Sequence, residues 1–341
     1  PASWCAPRCA AMPGGKDWGP PRPFPPAGRP RAEPLAHDAA MEGMKEPRLA
    51  FLTGVPFSDI ARAFNEAFAD YYLRMGAQAE VWLRNRMIKN AVDADCSVGA
   101  FDGGKLVGFS LTGIDLWDGA PAAFDAATGI VPEYRRRGLA AQMFEFARPR
   151  LAQRRVERFL LEVLQVNEPA IKAYRKAGFR ITREFDCFEL DMEEGSGPVG
   201  GPAGTAAPPA GIELRPMEKS ALTALVDQMD WRPSWENSPA SIARIPDEVL
   251  AYGAWEGTRL GGAIVYYPLL NWIVSLVVRR DLRRRGIGAA LLSRLRTGLP
   301  EGTPRVRLVN VLHEDRVMSA FLEAQGFRPF TSQYEMELAP L

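Results

Sequence analysis

The chain has 341 residues, 47% of them hydrophobic and 24% charged, with a formal net charge of +1. That length is comfortable for two domains, and the near-neutral charge gives no global electrostatic case for a nucleic-acid or membrane partner. No apolar run approaches the roughly 20 residues of a spanning helix, and no secretory apolar segment opens the N-terminus. The cysteines, Cys5, Cys9, Cys96 and Cys187, have neither disulfide-framework nor zinc spacing. A reducing cytoplasm, without a metal, is the expected setting.

Residues 1–44 are rich in Pro, Gly and Ala and are expected to be disordered. Because Met41 and Met44 stand just before the first patterned segment, the natural start is expected near Met44. Residues 48–53 read as a strand. Ser58 is placed to cap a helix that carries Ile60, Ala61, Phe64, Phe68, Tyr71 and Tyr72 at helical spacing. A second helix is expected over 77–90. Residues 97–101 and 106–111 form a hairpin across Gly103-Gly104, and 113–121 read as a loop with Asp115, Trp117 and Asp118. Pro149 is expected to kink or end the helix that contains it, and 180–192 read as one or two strands.

Between these lies the most informative stretch, residues 130–179. Ile130-Val131 ends a strand, Arg135-Arg136-Arg137-Gly138-Leu139-Ala140 follows as a basic loop, and Leu139, Met143, Phe146, Ala147 and Leu151 keep helical spacing beyond it. A glycine-bearing loop opening a helix is an anion site: free N–H groups point outward and the helix dipole adds roughly half a positive charge. The arginines extend that field toward a phosphate. Phe159–Leu164 then reads as a buried strand, Asn167 caps a helix with Ala170, Ile171, Tyr174 and Ala177 on one face, and Gly178 stops it.

The runs R-x-x-G-x-A and N-x-x-A-x-x-x-Y-x-x-x-G-F, in this order, resemble the GNAT N-acetyltransferase superfamily over about residues 46–192. The resemblance implies an α/β (α+β) fold in which a central mixed, mostly antiparallel twisted sheet is flanked by helices. It also implies acetyl-CoA as co-substrate. The pantetheine arm is expected along Ile130 and Val131. The diphosphate is expected on the amides of Arg136 to Ala140, with Arg135, Arg137, Gly138, Leu139, Asn167 and Tyr174 completing the site.

The second half repeats the first at an offset of 148. Arg135–Ala141 matches Arg283–Ala289, and Gly178-Phe179 matches Gly326-Phe327. Residues 193–211 are a Gly/Pro/Ala linker. The expected organisation is therefore an extension (1–44), an N-terminal GNAT domain (45–192), the linker, and a C-terminal GNAT-like domain (212–341). The second copy keeps a phosphate loop, with Arg284, Arg285, Gly286 and Gly288 as its candidate contacts. By the same offset Tyr174 becomes Leu322, Asn167 becomes Asp315 and Glu162 becomes Asn310.

Acyl transfer to an amine needs a neutral amine, a stabilised oxyanion and a proton for the departing thiolate. The resemblance implies that Tyr174 faces the thioester and is the expected acid, protonated at working pH because an ordinary phenol has a pKa near ~10; packing alone is the other reading. Glu162, in an L-E-V strand like that of bacterial members acting on ribosomal-protein N-termini, is the expected base; a salt bridge to an arginine is the alternative. Asp125, Asp115 and Glu133 are weaker candidates. The expected activity is direct transfer of acetyl from acetyl-CoA to a primary amine on a small molecule or peptide. Two alternatives stay open: catalysis in the C-terminal copy, or a non-catalytic acyl-CoA sensor.

Overall fold

The structure, a computed structural model, describes residues 46–72, 78–192, 206–246 and 248–341. The expected extension and residues 193–205 of the expected linker lie outside these. The first half begins with β1 (Arg48–Phe51), α1 (Phe57–Phe68) and α2 (Glu80–Lys89). Ile60, Ala61, Phe64, Ala67 and Phe68 of α1 are buried, as the aromatic stripe requires of a core-facing helix. Next come β2 (Val98–Asp102), β3 (Lys105–Trp117) and β4 (Ala120–Ile130).

The segment expected as a loop over 113–121 is instead the tip of the β3–β4 hairpin, with Trp117 paired to Ala120. Asp118 and Gly119 turn the chain with φ of 54° and 78°. Two left-handed residues in a two-residue connection match the right-handed twist of the strands, and Asp-Gly is a preferred pair for it. The chain continues through α3 (Leu139–Gln153), which carries Pro149 within it, then β5 (Arg158–Leu164), α4 (Glu168–Lys176) and a single long strand, β6 (Arg180–Asp191).

The second half has β7 (Glu213–Pro216), a 3-10 helix at Lys219–Gln228, α5 (Pro239–Ala243), β8 (Leu250–Glu256), β9 (Arg259–Tyr267) and β10 (Trp272–Val278). It ends with α6 (Ile287–Gly298), β11 (Arg305–Leu312), α7 (Arg316–Ala324) and β12 (Arg328–Leu338). All the strands join one 12-stranded sheet, in the order β1-β2-β3-β4-β5-β12-β6-β11-β10-β9-β8-β7. The β4–β5 and β10–β11 pairs are parallel and the others antiparallel.

The halves exchange their last strands. β12 of the second half pairs with β5 of the first, and β6 of the first pairs with β11 of the second. At the centre Phe185 faces Gln333, its own counterpart at the offset of 148. Leu164 faces Gln333 and Leu312 faces Phe185, so the register is symmetric about this point.

Side chains reinforce the junction. Arg86 on α2 makes two hydrogen bonds to the Glu236 carboxylate, at 2.6 and 3.1 Å, with both side chains buried. Lys89, fully buried, donates to the Glu236 carbonyl and to Ser241 Oγ. Burial holds its ammonium down at about 8. Trp235 stacks on Phe124 at 5.2 Å and on Trp117 at 5.5 Å. Breaking a buried pair such as Arg86–Glu236 by removing one partner typically costs about 3–5 kcal/mol, so the residue 234–244 region is firmly seated.

Candidate functional site

Both arginine–glycine loops have the same backbone. Arg136 and Gly138 take φ of 65° and 74°, and Arg284 and Gly286 take 61° and 86°. Gly138 and Gly286 sit at the N-caps of α3 and α6 with no side-chain cap, which leaves first-turn N–H groups to an anion. Conformation rather than space requires glycine: a Cβ at Gly286 would meet nothing within 4 Å.

The first arginine of each loop is an anchor. Arg135 bonds both Asp70 oxygens at 2.6 Å, the Ala67 carbonyl at 3.0 Å and the Ile130 carbonyl at 3.2 Å. Arg283 repeats the pattern on Asp230, Gln228 and Val278. Arg137 donates to the Glu133 carbonyl at 2.8 Å and lies over the Tyr134 ring. Arg285 lies 3.7 Å from Glu256.

Behind each loop two parallel strands part. β4 and β5 pair from Ala122/Arg158 to Asp125/Leu161, and β10 and β11 pair at Trp272/Arg307 and Ile273/Leu308. A bulge marks each parting, at Ala126 against β3 and at Val274 against β9. These two bulges are themselves 148 apart.

Beyond the bulges the halves differ. In the first, the Tyr174 hydroxyl donates to Asp125 Oδ2 at 2.8 Å, and the Thr128 hydroxyl lies 2.9 and 3.0 Å from the same carboxyl. Asp125 is 3% exposed, and burial pushes its carboxyl up to about 7, against the lowering effect of those two hydroxyls. Phe144, Phe159, Phe179 and Tyr174 pack with ring centroids 5.5–5.8 Å apart. Ile130 and Val131, expected to carry pantetheine, are buried, and so are Ala127 and Thr128 on the same strand.

In the second half Ile273 and Leu322 replace Asp125 and Tyr174, and neither can make that bond. A cavity of about 870 Å³ opens between β10, β11, α6 and α7. Ser275, Leu276 and Val278, which correspond to buried Ala127, Thr128 and Ile130, are half-buried there. Arg284, Gly286 and Gly288 line the cavity. A Cβ on Gly288 would come within 3.1 Å of the Phe321 ring, so close packing keeps this position small.

Glu162, the expected base, lies at the junction of the two halves. It is buried on β5, and its Oε2 accepts from Asn310 Nδ2 at 2.7 Å. Asn310 also donates to Ser234 Oγ at 2.8 Å and accepts from Gln333 Nε2 at 2.6 Å. Glu162 and Asn310, counterparts at the offset, thus meet in a buried polar network that spans the two halves. Asn167 and Asp315 do equivalent work, accepting from Ala170 N and Met318 N to cap α4 and α7. Asp315 also takes the Trp231 indole N–H at 2.9 Å.

The polar lining of the cavity from Trp231, Asn237 and Asn310 was not singled out in the sequence as ligand-binding. No signal marks these residues individually, because the repeat offset pairs them with residues of unlike type. Asp125 did carry a signal: it and Tyr174 are both replaced by apolar residues in the second copy, as partners in one bond would be. Among the described residues no group of His, Cys, Asp and Glu side chains is arranged to hold a metal, and no helix is long and apolar enough to cross a membrane.

The sequence model of the Acetyltransferase (GNAT) family matches residues 59–179 and 215–327. No curated protein matches the sequence. Among solved structures, the chain is similar to a tandem GNAT protein from the clavulanic acid biosynthesis pathway, with 19% identity and a TM-score of 0.64, covering 86% of this chain and 99% of that one. It is also similar to a GCN5-related N-acetyltransferase from Sphaerobacter thermophilus (17% identity, TM-score 0.60, 82% and 91% covered). A putative acetyltransferase from Pyrococcus horikoshii gives 14% identity and a TM-score of 0.58, with 92% and 93% covered. The two family matches, each holding one basic loop and one parting of parallel strands, make this chain a tandem, two-copy member of the GNAT acetyltransferase family.

Proposed function

We propose that the chain transfers an acyl group, acetyl in the first instance, from acyl-CoA to an amine, and that the donor lies in the cleft of the second half. The observation that carries this reading is the contrast between the two clefts: the same anion-binding loop stands before an open cavity in one and before buried side chains in the other. The residues fit such a donor. N–H groups of the Arg284–Gly288 loop suit a diphosphate. The apolar walls of Val277, Ile287, Leu308 and Phe321 suit the pantetheine arm. The bulge at Val274 leaves a residue outside the ladder near the parting of β10 and β11, where a thioester carbonyl would be polarised. Leu322 offers no proton, so the thiolate takes its proton from the amine, by way of solvent.

A second reading places the chemistry in the first half, and one observation favours it. Tyr174 and Asp125 form a hydrogen-bonded acid pair whose carboxyl titrates at about 7, near a working pH. That reading requires α4 to move away from β4 before acyl-CoA enters. The test of the activity is thiol release from acetyl-CoA by the intact chain with a panel of primary amines. Amine-dependent release supports transfer; binding of acetyl-CoA with no release for any amine would leave a sensor.

A further inference from the structure

The cavity of the second half restricts the kind of amine it can take. Among the described residues, its acidic lining is Asp230 and Asp315. Both are already committed. Asp230 Oδ1 accepts from Arg280 Nε at 3.0 Å, and its Oδ2 accepts from Arg283 at 2.5 Å. Asp315 Oδ1 accepts from Met318 N and its Oδ2 from the Trp231 indole, each at 2.9 Å. As the N-cap of α7, Asp315 also has its charge set against the positive end of that helix. Glu162 is not part of the lining and accepts from Asn310, which is. The basic lining is Arg283, Arg284 and Arg316, which suits the donor's phosphates.

The rest of the lining is mostly apolar. The 229–233 segment contributes Met229, Trp231 and Pro233, and the strands at the parting contribute Ile273, Val274 and Val309. Trp231 spends its indole N–H on Asp315, which leaves its ring as apolar surface. An amine with an apolar body gains from burial against these walls. A second ammonium on that body would leave water and find both carboxylates already satisfied, which is strongly unfavourable for a charge. The same setting acts on the reacting nitrogen. Loss of water disfavours its ammonium form and favours the neutral amine, which is the form that attacks.

We infer that the acceptor is a monoamine with an apolar body, alkyl or aryl-alkyl, and that polyamines and other polycationic amines are poor acceptors. This rests on the acyl-transfer reading of the second cleft. The amine sheds its extra proton to solvent as it enters, so no side chain has to act as base. Its neutral nitrogen then forms a bond to the thioester carbonyl carbon and the C–S bond breaks. The proton that nitrogen loses goes to the departing thiolate.

The experiment uses the full chain with acetyl-CoA at a single pH and three probe amines. These are n-pentylamine, phenethylamine and putrescine, the isostere of pentylamine in which a second ammonium replaces the terminal methyl. Initial rates are corrected for the uncatalysed reaction, and CoA affinity is measured by calorimetry. The expected result is a kcat/KM for pentylamine and for phenethylamine about tenfold or more above that for putrescine. A putrescine value equal to or above that of pentylamine would overturn the inference. A chain that binds CoA but accelerates no probe would overturn the transfer reading beneath it instead. The same probes are then run on Val317→Glu. Val317 lines the cavity yet is 71% exposed, so a carboxylate fits there without disturbing the core. The expected result is a rise of about threefold in the putrescine-to-pentylamine ratio of kcat/KM, the size of an exposed ion pair, with CoA binding retained. A ratio that Val317→Glu leaves unmoved would place the amine outside this cavity and would also overturn the inference.

Discussion

Tyr174 donates a 2.8 Å hydrogen bond to Asp125, closing α4 onto β4 just where the first half would otherwise open between its parallel strands. In the second half the same two positions hold Leu322 and Ile273, and a cavity lies there instead. One polar pair, present in one copy and absent in the other, separates two clefts that share a loop conformation and a bulge position.

Tyr174→Phe keeps the ring packed on Phe179 and removes only the hydroxyl. The expected outcome is a stability loss of about 1–3 kcal/mol, the cost of taking a donor from a buried acceptor, with acetyl transfer unchanged within about twofold. Denaturant unfolding and initial rates check both. A tenfold fall in turnover at unchanged acetyl-CoA affinity would move the chemistry to the first half.

Asp125 makes stability depend on pH in a direction that can be worked out. Its carboxyl rises from 3.8 to about 7 on folding, so between those values the folded chain holds a proton that the unfolded chain has released. This contribution is fully present below pH 4, declines as pH rises, and is gone above about pH 7. A shift of this size is worth at most about 4 kcal/mol. Asp125→Asn is expected to flatten the unfolding free energy across that window; an unchanged slope would contradict the burial of an acid at this position.

The sequence showed the arginine–glycine loops, the Asn167 cap and the Gly/Pro/Ala stretch because each is a local pattern with a local cause, and the tandem repeat because those local patterns recur at a fixed offset. The strand exchange was invisible. Alternation in β6 and β12 says which face of a strand is buried, not which strand lies beside it. Nothing in Phe185 or Gln333 announces that each would face the other. Glu162 was legible as a carboxylate in an apolar strand that needs a partner. Its partner, Asn310, lies 148 residues away and could not be read. The Asp118-Gly119 turn was readable in principle, and the aromatic and acidic residues around it masked a plain hairpin signal.

The exchange has a consequence for dissection. Residues 46–192 alone lack β12 beside β5, and residues 206–341 alone lack β6 beside β11. Each fragment therefore leaves an unpaired strand edge inside what was a continuous sheet, an invitation to self-association. Light scattering after size exclusion is expected to show each fragment alone as a dimer or an aggregate, and the two co-expressed as a one-to-one complex. Two monomeric, stable fragments would show that the halves do not depend on the exchanged strands.

The two loops differ in which of them is expected to hold the donor. Calorimetry with CoA on the full chain measures this directly through Gly138→Asp and Gly286→Asp, each of which places a carboxylate at the helix N-terminus where a diphosphate would sit. The expected result is one CoA per chain in wild type, affinity retained within about threefold in Gly138→Asp, and binding lost by a hundredfold or more in Gly286→Asp. Loss of binding in Gly138→Asp, with Gly286→Asp unaffected, would contradict it.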